Sequence, residues 1–495
     1  MKSKWLRLSL IAGAALLVAV LAAGAAVTAK DNPSYKAGFV GSDACMGCHL
    51  STHERWSKSG HAHMVVDVLQ NKDLPADPAT TTPELQAEIA KAQFIVAGQR
   101  FISRDTKTGD LVYLNVQFDT AAQKYVAYKG GSSWQANCAG CHTTGLVDPK
   151  IMSAEMGIGC ESCHGPGLNH IKGKGDPTQI SVSFKADTCG QCHNGGKGPD
   201  GQRWPQGYQI GQNVEDTGFK VTPVDPNGPP PDPALHLRQF APFEASAHAG
   251  NKAITDLVTN DHANANCYTC HSAEARSAAS HNEPITDMAK LKSLEDGISC
   301  VACHGPHSAS IKDPKTLCAS CHNGSINKVT GAKPGSAVHH PNTEMLEGYG
   351  APGVEATKGA HTLDAVTCAS CHMTEGNHRF KVILPEQVAG TKRVDTCTTC
   401  HTRSSSEIRG IYLELWQKTT EEKIGRLNDL LGMAAATVKA KPSLDPAVLN
   451  LYNTAKTDVS FVDSDGSRGA HNFEYSMKVL ANAEKLLKEF AEKTK

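Results

Sequence analysis

Residues 157–170 read GIGCESCHGPGLNH, and the pentapeptide CESCH at its centre (Cys160, Cys163, His164) decides how the chain is built. The same spacing recurs as Cys45/Cys48/His49, Cys138/Cys141/His142, Cys189/Cys192/His193 and Cys267/Cys270/His271. It returns as Cys300/Cys303/His304, Cys318/Cys321/His322, Cys368/Cys371/His372 and Cys397/Cys400/His401. These nine motifs use all 18 cysteines and leave none over. Two thiols three positions apart can each form a thioether to one vinyl group of a single porphyrin, and the next residue then offers its imidazole to the iron. Tetrahedral zinc sites would close CxxC pairs two by two, which explains neither the His after every second Cys nor an odd number of pairs. A thiol redox protein needs one or two such pairs, not nine. The motifs therefore imply nine covalently bound haem c groups.

Composition agrees with that reading. The chain has 495 residues, of which 40% are hydrophobic and only 5% aromatic, and it holds 44 Gly and 25 Pro. Side chains that could fill a core are scarce for this length, and porphyrins supply the missing apolar bodies. An apoprotein should not fold, because its core would be absent. With 49 Lys+Arg against 50 Asp+Glu the net charge is −1, so no bulk attraction to nucleic acid follows. Lys2, Lys4 and Arg7 precede a run from Leu8 to Ala29 without a charge, which reads as a secretory signal cleaved near Ala29. Its alternative is a retained N-terminal anchor, the one case in which the protein would touch a membrane. Either way the remainder is exported, to the periplasm or the cell surface and exterior.

Fourteen of the 23 histidines lie outside the motifs. The better distal candidates are His61, His170, His248, His281, His307, His340, His361, His378 and His471. Ser59-Gly60-His61-Ala62 is matched by Ser246-Ala247-His248-Ala249, and both His170 and His307 follow a Cys-His-Gly-Pro element. Sequence does not choose between His339 and His340, nor between His61 and His63; His53 and His236 read as surface residues. Bis-histidine ligation would give low-spin iron that carries electrons without binding substrate.

The central region repeats itself. Asn137 with CAGCH, GIGCESCHGP and CGQCHNG returns as Asn266 with CYTCH, GISCVACHGP and CASCHNG. The organisation expected is a signal over 1–29, a module of four haems over 30–200, and a Pro/Gly-rich linker or surface wrap over 201–235. A second module of three haems over 236–331, two further haems over 332–403 and a helical region over 404–495 complete it. Phe94–Ile102, Leu111–Phe118 and Lys124–Tyr128 alternate like strands, with a turn at Thr108-Gly109-Asp110, and predict a small β-meander. Phe473, Met477, Leu480, Ala483, Leu487 and Phe490 recur at helical spacing, and Ile408–Met433 reads as a second amphipathic helix. The fold class is thus a multihaem cytochrome c fold: mainly short α-helices and loops wrapped around nine haems, a small meander and C-terminal helices.

Over WSKSGHA (56–62) and GIGCESCHGPGLNH the sequence resembles the tetrahaem cytochromes that take electrons from hydroxylamine oxidoreductase, and the second copy is a looser match. The C-terminal part, with HHPNTEMLEGYG (339–350), CHMTEGNHRF (371–380) and GAHNFEY (469–475), is similar to the superfamily of pentahaem nitrite reductase and octahaem hydroxylamine oxidoreductase. The resemblance implies that His61 and His170 serve irons other than those of their own local motifs. It also implies a five-coordinate iron at Cys138/Cys141/His142, because the tetrahaem family keeps one at its second motif. Nitrite reductases mark their catalytic haem with Lys in place of the motif His, whereas all nine motifs here end in His.

A non-catalytic electron carrier is the leading expectation, passing single electrons between redox proteins, with a quinol-linked membrane complex or an extracellular acceptor as termini. The alternatives are an oxidoreductase acting on small nitrogen or sulfur oxyanions at one open haem, and a subunit of a conducting filament.

Overall fold

The computed structural model describes residues 37–68, 74–146, 154–225, 228, 238–250, 252–259, 263–308, 310–403 and 405–495. The expected signal over 1–29 lies outside them. Among the described residues, no helix is long and apolar enough to cross a membrane.

Most of the chain is short helix and loop, and the CxxCH motifs sit on single turns such as Ala139–His142, Glu161–His164 and Cys368–His372. A five-stranded antiparallel sheet interrupts this pattern: β1 (Val65–Asp67), β2 (Phe94–Val96), β3 (Arg100–Arg104), β4 (Leu111–Asp119) and β5 (Lys124–Ala127), ordered as in sequence. Phe94–Ile102 is therefore not one strand, as its alternation suggests. Ala97 (φ 51°) and Gly98 (φ 66°) both take left-handed backbone, and Gln99 N–H closes onto Val96 C=O at 3.0 Å. That is the geometry of a tight hairpin, written here with an Ala where Asn or Asp usually announces it. The turn at Thr108-Gly109-Asp110 forms as expected, and Asp105 Oδ1 accepts from the N–H of Lys107 and of Thr108.

Alternation then gives the sheet two buried faces. Ile95, Phe101, Val116, Phe118 and Tyr125 form one cluster; Val65, Val96, Ile102 and Leu111 form another, with Trp134 and Ala139. Ala139 belongs to the Cys138 motif, so the second face braces that motif directly. Two further two-stranded ribbons pair Thr143–Thr144 with Glu155–Met156 and His304–Gly305 with Ser310–Ile311.

The stretch read as linker or surface wrap packs against the body. Val214 and Phe219 are buried, and the Trp204 ring lies so close to Gly140 that a Cβ there would sit 2.1 Å from it. Further along, Arg379 donates to the carbonyls of Asp225 (2.9 Å) and Gly228 (2.7 Å).

The C-terminal region is a bundle of three helices, α1 (Ser406–Ala440), α2 (Pro446–Asp465) and α3 (Phe473–Lys493). Each starts on a side-chain cap: Ser405 Oγ accepts from Ile408 N–H, Asp445 Oδ1 from Ala447 N–H, and Asn472 Oδ1 from Tyr475 N–H. Gly466, in left-handed backbone at φ 73°, ends α2. Val479, Leu480, Ala483, Leu487 and Phe490 of α3 are buried against α2 and α1, each large apolar side chain contributing roughly 1.5–3 kcal/mol. α2 carries no strong periodic signal, because Thr454, Thr457, Asp458 and Asp465 are buried alongside Val459 and Phe461.

Candidate functional site

No cysteine is in a disulfide, and each motif presents its two thiols and its imidazole from one short turn. The test of whether these residues fit a haem is what stands opposite each imidazole. An axial nitrogen about 2 Å from iron on either side places two facing imidazole centroids about 6 Å apart.

Eight motif histidines face a second imidazole at that spacing. His49 faces His170 (6.3 Å), His164 faces His307 (6.1 Å), His193 faces His61 (6.2 Å) and His304 faces His378 (6.3 Å). His322 faces His248 (6.0 Å), His372 faces His471 (6.2 Å) and His401 faces His361 (5.8 Å). His271 has both His339 (6.2 Å) and His340 (6.3 Å) before it. His142 is buried with the Trp134 indole 6.4 Å away; His236 and His262 lie outside the described residues.

Several rings are fixed through Nδ1, which leaves Nε2 for a metal. His164 Nδ1 meets Ser181 C=O at 2.8 Å, His170 Nδ1 meets Asp176 C=O at 2.8 Å, and His378 Nδ1 meets Gly376 C=O at 2.8 Å. His372 Nδ1 meets Phe380 C=O at 3.0 Å, and His471 Nδ1 meets Asp465 Oδ1 at 2.6 Å. Such partners set both the tautomer and the ring plane of a ligand. Burial favours the neutral imidazole, the form that binds iron, at two of the facing rings: it lowers His248 to about 4, helped by His322, and His340 to about 4, helped by His339. His471 differs. Burial presses it down, but the hydrogen bond and charge of Asp465 outweigh that and leave it raised.

The duplication is visible in how the imidazoles face one another. His61–His193 and His248–His322 are equivalent pairs, in each of which the His of a Ser-x-His-Ala element faces the last motif of its module, and each has steeply crossed ring planes (61° and 81°). Cys141 Sγ lies 3.9 Å from Gln191 C=O, and Cys270 Sγ lies 3.9 Å from Ser320 C=O, both across 50 positions.

Where motifs adjoin, their thiols meet: Cys45 with Cys160, Cys141 with Cys192, Cys189 with Cys300, Cys270 with Cys321, and Cys318 with Cys368. Cys163 lies near Cys189 and Cys192, Cys303 near Cys318, and Cys371 near Cys397 and Cys400. Motifs at His49, His164, His193, His304, His322, His372 and His401 thus follow one another in space. Those at His142 and His271 branch from His193 and His322.

Cys48 belongs to the first motif of this run. It is exposed, and so is Cys400, whereas the other cysteines are all half-buried. The physical reason is position: Cys48 lies in the first motif of the run and Cys400 in the last, so a neighbouring motif covers each of these two turns on one side only. Within its own turn Cys48 still stands three positions from Cys45, and Cys48 N–H closes onto Cys45 C=O at 3.2 Å, the compact turn that the spacing predicts.

His61, not the exposed His63, is the ring brought to a motif. His281 is placed differently from its expectation. It is exposed at the end of the helix Ala273–Ser280, with Nδ1 drawn back onto Ser277 C=O at 2.8 Å, and among the described residues it faces no motif imidazole. His339 and His340, between which the sequence does not choose, both stand before His271.

Three family models match the chain: cytochrome c554 and c-prime over residues 110–165, cytochrome c3 over 245–323, and cytochrome c552 over 326–492. The crystal structure of the outer cell wall cytochrome OcwA superposes with a TM-score of 0.76 at 28% identity, covering 91% of this chain and 100% of that one. The chain is a multihaem c-type cytochrome. The undecahaem cytochrome from the S-layer of Carboxydothermus ferrireducens shares the fold, with a TM-score of 0.63 at 22% identity over 92% of this cytochrome and 70% of that chain. Among curated proteins none matches its sequence. The cytochrome therefore binds several covalent c-type haems in a fold of short helices, small antiparallel sheets and C-terminal helices, and is built for electron transfer.

Proposed function

We propose that this cytochrome carries nine haems and serves as an exported one-electron relay at the cell surface. When bound, each haem supplies an iron that cycles between ferric and ferrous states. The chain's own residues do the rest. Cysteine pairs would fix each ring, motif imidazoles would hold its iron from one side, and the facing imidazoles of His61, His170, His248, His307, His361, His378, His471 and the His339/His340 pair would hold it from the other. The observation that carries this reading is the approach to about 6 Å of imidazoles from sites as distant in sequence as His164 and His307, spacing that suits an iron and little else.

The meeting thiols support a continuous route from the His49 motif to the His401 motif, with two side branches. The exposure of Cys48 and Cys400 suits those two motifs to exchange electrons with other molecules. Redox proteins are the partners proposed for the two ends, with a quinol-linked membrane complex or an extracellular acceptor beyond them. Export is supported by the charged start and the uncharged run from Leu8 to Ala29, and by the likeness to an outer cell wall cytochrome. Stopped-flow reduction of the oxidised protein by a one-electron donor tests the relay. Complete loss of the oxidised Soret band with donor in excess is expected; a fraction of haem that stays oxidised under those conditions would contradict it.

A further inference from the structure

The segment before Pro341 places two adjacent histidines at one motif. His339 stacks on His271 with planes 25° apart, His340 stands at nearly the same separation with planes 38° apart, and their own centroids are 3.9 Å apart. One ligating atom from each of His271, His339 and His340 falls within 4.8 Å of the others. A single proximal imidazole thus has two donors within reach of the same axial position. His340 is also 6.0 Å from His322, but His322 already has His248, the repeat equivalent of His61 before His193.

The backbone supplies a second, independent observation. His340 has φ 49°, a left-handed conformation, at a position directly before a proline. The proline ring disfavours helical backbone at the preceding residue, and a non-glycine residue held there needs its surroundings to hold it.

We propose that His339 and His340 are interchangeable axial donors to the iron held by His271, His339 being the resting ligand and His340 the reserve. Exchange breaks one iron–nitrogen bond and forms another of the same kind, with no change in charge or proton count. The two donors differ in ring tilt and in burial, His339 being exposed and His340 half-buried, so each gives this branch iron its own potential. This inference rests on the haem reading of the Cys267/Cys270/His271 motif.

The test uses purified, oxidised full-length holoprotein with His339→Ala, His340→Ala and both changes together, read by low-temperature EPR. Each single variant is expected to keep the wild-type number of low-spin irons. His339→Ala should in addition move one low-spin signal toward larger g anisotropy, as the planes open. The double variant should gain one high-spin iron. A full high-spin iron in His339→Ala alone would overturn the exchange, as would a double variant indistinguishable from wild type. If the double variant does not mature, the single variants decide, because a spectator His340 leaves the His339→Ala iron high-spin. Mass analysis of the peptide carrying Cys267 and Cys270 separates the two levels of the argument: loss of its haem in the wild-type protein would remove the underlying reading, whereas a haem there with a high-spin single variant removes only the exchange.

Discussion

Asp458 should make the stability of the C-terminal bundle fall as pH rises, and Asp458→Asn should abolish that fall. The residue lies on α2, fully buried, with its carboxylate accepting from Asn482 Nδ2 at 2.8 Å while Oδ1 has no hydrogen-bond partner. Burial pushes the acid from 3.8 up to about 8, and the bond from Asn482 pulls it back only in part. The folded state thus binds a proton that the unfolded state releases. Below about pH 4 both states are protonated and nothing is lost; between about 4 and 8 stability drops, and above 8 the loss is complete. At 1.36 kcal/mol for each unit, the interval from pH 5 to 8 is worth about 4 kcal/mol. Denaturant unfolding of the oxidised holoprotein, followed by helix signal at pH 5, 6.5 and 8, measures it. Glu244, raised to about 7 by burial and then by Asp187 and Glu215, titrates in the same direction in both proteins and cancels in the comparison. Parallel pH dependences for wild type and Asp458→Asn would refute the reasoning.

Three further outcomes follow from particular contacts. Asp465→Asn removes the carboxylate from His471 Nδ1 and makes that imidazole a weaker donor; potentiometry should show one haem potential raised by about 60 mV, the equivalent of tenfold in ferric preference. Gly140→Ala drives a methyl into the Trp204 ring, and a loss of about 1–3 kcal/mol by denaturation is expected. Glu161 accepts from the N–H groups of Val40, Gly41 and Gly167, so Glu161→Ala leaves three backbone donors without it; stability should fall by about 3 kcal/mol or more, with proteolysis near residue 40 accelerated.

The cysteine framework was legible in the sequence because haem attachment is local: two thiols and an imidazole must leave one turn of backbone. What the motifs did not show is where each turn sits in the run, and so which thiols, Cys48 and Cys400, would face outward. The pairing of imidazoles was not legible either, because each facing ring comes from a different part of the chain. His307 follows Cys300–His304 yet faces His164, and His378 follows His372 yet faces His304. Repetition drew attention to the matching Ser-x-His-Ala elements of His61 and His248, but the choice between His61 and His63 stayed open in the sequence, and it is His61 that faces His193. His281 looked equally suitable on paper, but its helix ends just before it and turns the ring onto its own backbone. The β-hairpin at Ala97-Gly98 was hidden by a turn with an unusual first residue. Helix α2 was hidden by polar side chains that are buried through hydrogen bonds and not exposed, as with Thr457 donating toward Ser336 C=O.

The most direct test of the account is a haem count by pyridine haemochrome joined to quantitative low-temperature EPR of the oxidised protein. Nine haems per chain are predicted, with low-spin signals in two classes. Nearly parallel rings at His49/His170, His164/His307, His304/His378 and His271/His339 give one class; steeply crossed rings at His193/His61, His322/His248, His372/His471 and His401/His361 give the other. Fewer than nine haems, or high-spin signals integrating to several irons, would contradict it.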